Sequence, residues 1–279
     1  MYTSVITAEE LLTYPHDNLV IIDCRFQLSD TEAGQRAYNV SHLTGAYYSH
    51  LDNHCSGPTT PTSSRHPLPD MSTFLSAISK WGINTNSQVV VYDAGTGAIA
   101  ARLWWMLKNI GLQSVAVLSG GFSNWQKMGY PLSDVIPTDQ SGSTDISANS
   151  WTYVSVNQMR EIINDPQYLI IDARAPERYA GENEPIDPIA GHIPSAKNRF
   201  HGLNFDENGC IKSIDELKNE FSALITGFPM KNVVVYCGSG VTSCTLLFVL
   251  EYIGREGAQL YAGSWSEWIK YADNPLVKK

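Results

Sequence analysis

Positive charge is scarce in this 279-residue chain: Lys and Arg total 19 against 28 Asp and Glu, leaving a formal net charge of −9. That deficit argues against a nucleic-acid or anionic-membrane partner, either of which would want a basic face. An anionic small molecule must therefore be held by a locally positive pocket in a globally negative protein. Cysteine is sparse too. The five, at positions 24, 55, 210, 237 and 244, form no CxxC pair and show no recurring ligand spacing. Neither a zinc or other metal site nor a disulfide framework is expected, and no cofactor motif is read. Long hydrophobic runs are missing as well, none approaching the roughly 18 residues of a membrane span. The opening MYTSVITAEELL has neither a basic n-region nor an apolar h-region, so no signal peptide is expected. These absences point to a soluble, cytoplasmic protein of a reducing compartment. With 43% hydrophobic and 17% charged residues, the composition is that of a globular chain.

What the chain does have is a second copy of itself. "VVVYDAGTGAIAARLWWMLKNIG" (Val89 to Gly111) and "VVVYCGSGVTSCTLLFVLEYIG" (Val233 to Gly254) share one plan. Each is a Val-rich strand ending in Tyr, a Gly-bearing loop, a helix pattern and an Ile-Gly stop. "LVIIDCR" (Leu19 to Arg25) pairs with "LIIDAR" (Leu169 to Arg174), "HLTGA" (His42 to Ala46) with "HIPSA" (His192 to Ala196), and "LSGGFSNW" ending at Trp125 with "YAGSWSEW" ending at Trp268. The offset stays between 143 and 150 residues, so the repeat unit is a whole domain. Between the copies, "VIPTDQSGSTDISANS" (Val135 to Ser150) reads as a linker. The expected organisation is a domain over 1–134, a linker over 135–150 and a second domain over 151–279. Short buried strands alternate with helical patterns in each copy, which predicts an α/β fold: parallel sheets with helices on both faces. In such sheets ligands bind at the carboxyl ends of the strands.

Cys237 falls at one of these ends, and the first copy has Asp93 there. A carboxylate cannot act as a soft sulfur nucleophile, so at most one half carries thiol chemistry. A free thiol titrates near 8.5, leaving only a few per cent ionised at neutral pH. A helix N-terminus contributes roughly 0.3–1 kcal/mol to an anion, less than one pKa unit. Backbone N–H groups converging from a loop with Gly238 and Gly240 add about 1.5–3 kcal/mol each. Such a cradle could keep Cys237 ionised, and it could equally solvate a persulfide anion. Cys24 and Cys244 read as small hydrophobes, and Cys55 and Cys210 as incidental loop residues.

The duplicated halves, the loop Cys-Gly-Ser-Gly-Val-Thr (Cys237, Gly238, Ser239, Gly240, Val241, Thr242) and the blocks "GHIPSA" and "AGSWSEW" resemble the tandem-domain rhodanese family over essentially the whole chain. The resemblance implies two rhodanese-like domains, the first inert and the second a sulfurtransferase whose cysteine carries a persulfide. The loop is similar to that of the mercaptopyruvate-using branch; thiosulfate-preferring members more often carry Arg-Lys where this chain has Gly238-Ser239. The implied donor is 3-mercaptopyruvate, with thiosulfate as the alternative. The implied acceptor is cyanide or a thiol such as thioredoxin. Residue by residue, the resemblance makes Arg174 the holder of the donor's anionic end, with Arg178 nearby, and makes Ser239, His66 and Asp52 a proton relay. Two positions depart from the family: Ala262 stands where Asp is usual, and Ser195 where Gly is usual. A cysteine phosphatase would need Arg as the sixth residue after Cys, where this chain has Ser243. A non-catalytic sulfur carrier or redox-sensing module is the rival from another class; steady-state release of pyruvate or sulfite separates it from an enzyme.

Overall fold

The computed structural model describes residues 1–140, 145, 146, 148 and 150–278, so part of the expected linker lies outside the described residues. The chain forms two compact units. One comprises Met1–Gly57, Leu68–Trp151 and Phe205–Ile211; the other comprises Pro58–Pro67, Thr152–Asn204 and Lys212–Lys279. Each unit thus holds a short segment from the other half of the chain. Pro58–Pro67 is joined to the second unit by the Arg65 N–H donating to Ser266 Oγ at 3.1 Å. Phe205–Ile211 is joined to the first by the Ile211 N–H donating to Ser119 Oγ at 3.0 Å.

In the first unit five parallel strands lie in the order Val5–Ile6, Val115–Leu118, Gln88–Tyr92, Leu19–Asp23, Tyr47–Tyr48. In the second, four parallel strands run Gln259–Leu260, Val233–Tyr236, Leu169–Asp172, Lys197–Asn198. Helices flank both sheets. The central strands are valine-rich because a β-branched side chain fits a pleated surface that is covered on both faces. Val233, Val234, Val235 and Tyr236 are all fully buried. Among the described residues no helix is long and apolar enough to cross a membrane.

The repeated motifs acquire physical meaning at the strand ends. Asp23 pairs in register with Tyr92, and Asp172 with Tyr236. Each aspartate binds the arginine two residues on, Arg25 or Arg174. Each tyrosine hydroxyl accepts an N–H, from Leu43 or from Ile193, at 3.1 Å. The recurring histidines are structural: His42 stacks on Tyr38 and His192 on Tyr179, at 4.1 and 3.9 Å between ring centres. The two tyrosine hydroxyls donate to the carbonyls of Ala46 and Ala196. Gly45, in that block, has φ 79°, and its counterpart Ser195 keeps φ 63°. The turn therefore survives the loss of glycine, at the cost of a left-handed conformation that serine rarely adopts.

Asp93 shows what the loop after the central strand does. Its carboxylate accepts four backbone N–H groups, from Gly95, Gly97, Ile99 and Ala100, at 2.8–3.3 Å. The cradle of the first unit is thus filled by its own side chain. Asp93→Ala is expected to lower the unfolding free energy by roughly 2 kcal/mol or more, the value of a lost helix cap with its charge-assisted bonds. The check is the urea midpoint; an unchanged midpoint would mean that water replaces the carboxylate without loss.

Candidate active site

The second unit carries the thiol. After Tyr236 the chain does not enter the helix at once: helix Cys244–Tyr252 starts later than the apolar spacing from Val241 suggests, and residues 238–243 form a loop. Gly240 makes the loop possible. Its φ is 77°, and a Cβ there would lie 2.3 Å from the Ala262 carbonyl oxygen. The loop is tied down by the Cys237 N–H donating to Ser264 Oγ at 3.1 Å. The carbonyls of Cys237 and Gly238 accept from the N–H groups of Trp265 and Ser266 at 3.0 and 2.8 Å. Ser264 holds this position at φ 55°, while its hydroxyl donates to the Tyr261 carbonyl.

Cys237 is buried, 1% exposed. Burial alone would push its thiol up. The hydroxyls of Ser243 and Thr242 and the N–H groups of Ser239 and Ser243 outweigh that and hold it below the ordinary thiol value. Ser243 Oγ is buried and hydrogen-bonds to no other group, which leaves its hydroxyl available to turn toward the sulfur. Two other buried thiols, Cys24 and Cys55, behave oppositely. Burial, with Cys55, Asp23 and Asp93 nearby, pushes Cys24 well up, and burial pushes Cys55 to about 11.

His66 and Ser239 come together: His66 Nδ1 lies 2.8 Å from Ser239 Oγ, and both residues are buried. Both belong to the second unit, His66 through the Pro58–Pro67 segment. Asp52, expected as the third member, lies in the first unit, in the short helix Leu51–His54, where its N–H donates to His50 Nδ1 at 3.1 Å.

The arginines divide differently from expectation. Arg174 is 2% exposed, and its guanidinium is committed to Asp172, to Glu184 and to the Gly191 carbonyl. Burial would pull it down, but Asp172 and Glu184 more than offset that and hold it charged. This is the same pairing as Arg25 with Asp23, and it takes up the Nε and both Nη2 donors of Arg174 within the protein. Arg178 is placed otherwise. It is held by Glu184 and Asp187, yet its guanidinium flanks the loop: a Cβ on Gly238 would lie 3.4 and 3.7 Å from its two terminal nitrogens. Arg65 stands there as well, with Nη2 2.9 Å from the same point.

Two participants were not read from the sequence. Ser243 follows directly on the loop motif, so the motif's end hid it. Arg65 immediately precedes His66, and only this adjacency could have drawn attention to it. Among the described residues no group of three or more His, Cys, Asp or Glu is placed to hold a metal ion.

The family model for the rhodanese-like domain matches residues 7–128 and again 155–271. A relative from Pseudomonas aeruginosa, named a probable 3-mercaptopyruvate sulfurtransferase, is 39% identical over 98% of this chain and 97% of its own. Thiosulfate/3-mercaptopyruvate sulfurtransferase 2 of Arabidopsis thaliana is 29% identical over 99% of this chain and 89% of its own. The solved structure of 3-mercaptopyruvate sulfurtransferase from Leishmania major superposes with a TM-score of 0.84 at 26% identity, covering 95% of this chain and 74% of that one.

A thiol held below its ordinary value is ionised at lower pH, and its reactivity falls only as pH drops through that value. Alkylation of Cys237 by iodoacetamide, followed by peptide mass mapping, is therefore expected to persist at pH values where Cys24 and Cys55 stay unlabelled. Ser243→Ala should move the Cys237 profile toward higher pH. An unmoved profile would remove the hydroxyl from the account.

Proposed function

The chain belongs to the rhodanese family, and from that premise we propose that it is a sulfurtransferase using 3-mercaptopyruvate, with Cys237 as the sulfur carrier. The Cys237 thiolate attacks the sulfur of the donor. As the new S–S bond forms, the C–S bond breaks and its electron pair stays on carbon as the enolate of pyruvate. The proton that leaves the donor's thiol group is delivered to that carbon, giving pyruvate and a Cys237 persulfide anion. An acceptor thiol or cyanide then attacks the outer sulfur and regenerates the thiolate. The donors that depress the thiol suit the persulfide equally, since both are anions held by N–H and O–H groups. Thioredoxin or a small thiol is the expected acceptor, in a reducing compartment such as the cytoplasm; all five cysteines are free thiols.

The observation that carries the donor assignment is the contact between His66 Nδ1 and Ser239 Oγ. Carbon protonation needs a proton carrier within reach, and an imidazole coupled to a hydroxyl beside the nucleophile is suited to it. Arg178 is proposed to hold the donor's anionic end, and Arg174 to hold Asp172. A thiosulfate preference is the second reading. It is favoured by the guanidinium groups beside Gly238, which offer from outside the loop oriented N–H donors for the oxygens of a dianion. Sulfite departs without a proton, so thiosulfate turnover should not depend on the histidine.

Donor treatment is expected to add about 32 Da, one sulfur, to the wild-type chain and nothing to Cys237→Ser. Ser239→Ala and His66→Ala should each lower kcat/KM for mercaptopyruvate by roughly 10²–10⁴, the range of lost proton-transfer catalysis, and change that for thiosulfate far less. Equal losses with both donors would overturn the proton-relay role.

A further inference from the structure

The donors around Gly238 are not all used. Arg65 places Nη1 on Asp187, while its Nε is buried and has no hydrogen-bond partner. A guanidinium donor buried without an acceptor costs free energy that a ligand oxygen can recover. Beside it, Arg178 commits Nε and Nη2 to Glu184 and Asp187, and Nη1 takes part in none of these bonds. Both guanidinium groups converge on the space over Gly238, which any side chain at that position would fill. Asp187 bridges the two arginines and fixes their spacing.

We propose that Arg65 is a substrate-binding residue: with Arg178 it forms a two-arginine clamp, over Gly238, for the carboxylate of the sulfur donor. This rests on Cys237 being the sulfur acceptor and extends that reading to the residue that selects an anionic donor. Arg65, Arg178 and Arg174 face Asp172, Glu184 and Asp187, so the cluster is balanced in charge before any donor arrives. The clamp therefore acts through oriented donors, a fork geometry that fits the two oxygens of a carboxylate. Arg65 reaches this place only because Pro58–Pro67 belongs to the second unit.

The test compares two alkylating agents on Cys237 in the full-length protein. Iodoacetate and iodoacetamide form the same S–C bond with loss of iodide and differ in carrying a carboxylate or a neutral amide. Arg65→Met should slow iodoacetate by about tenfold or more, the value of one charge-assisted hydrogen bond, and leave iodoacetamide within about twofold; Arg65→Lys should recover part of the loss. The iodoacetamide rate also reports that the loop is folded. Equal slowing of both reagents, or of neither, would overturn the clamp. Arg65→Met with Asp187→Asn removes the charge of the aspartate that has lost one of its two arginine partners. If that pair of changes restores the iodoacetate rate, the effect was charge imbalance and the clamp is again overturned. The same variants assayed with mercaptopyruvate should show a raised KM with kcat held. A wild-type protein that shows the reagent discrimination but turns over no donor would keep the clamp and lose the sulfurtransferase reading. Turnover without the discrimination would do the reverse.

Discussion

Asp172 is a carboxylate with no exposure, placed where a central strand ends, and it is bound by the Arg174 backbone N–H and by two guanidinium nitrogens. A charge so deeply buried cannot be left without its partner; removing one member of such a pair costs about 3–5 kcal/mol. The pair also reaches outward. Arg174 continues to Glu184 and the Gly191 carbonyl, and Glu184 in turn accepts from Arg178. The wall beside the reactive loop is thus hung from one buried ion pair, anchored by an arginine whose Nε and Nη2 donors are all taken by protein acceptors. Asp23 and Arg25 repeat the arrangement in the first unit.

The two loops after the central strands are one answer to convergent N–H groups, filled in two ways. In the first unit the anion is the Asp93 carboxylate, permanently attached and fully bonded. In the second the acceptor is the Cys237 sulfur, held below the ordinary thiol value, and hydroxyls of Ser243 and Thr242 join the backbone donors. Hydroxyls rotate, so in the proposed reaction they can follow a sulfur that grows by one atom, where fixed N–H groups cannot. The same difference separates a stabilising cap from a reactive centre.

The duplication was legible because the repeated letters are the ones with obligatory partners: Asp with Arg, Tyr with an amide, His stacked on Tyr. The position of Cys237 was legible because a strand-to-loop junction is marked by valines on one side and glycines on the other. The division of labour among arginines was not. Arg174 and Arg178 differ in partners and burial because of where Asp172, Glu184 and Asp187 fall in space, and no spacing along the chain encodes that. Arg65 was hidden for a deeper reason: a loop segment packed in the other half's unit leaves no periodic trace. Ala262 and Ser195 looked like departures of one kind and are not. Ser195 retains the left-handed backbone of the glycine it replaces, whereas Ala262 presents its carbonyl to Gly240, a contact made by backbone whatever the side chain.

Tandem copies joined by a polar stretch suggest parts that could be separated, recombined or lost independently. The exchange of Pro58–Pro67 removes that freedom. A chain beginning at Thr152 would have the strands, the loop and Cys237, but it would lack the histidine that meets Ser239 and the arginine that meets Asp187. On the ribosome the second unit can close only around a segment made long before its own strands, a sequence separation of 173 residues between His66 and Ser239. The first half, although without a thiol in its own loop, supplies a segment of the compact unit that holds Cys237, so the second unit is incomplete without it.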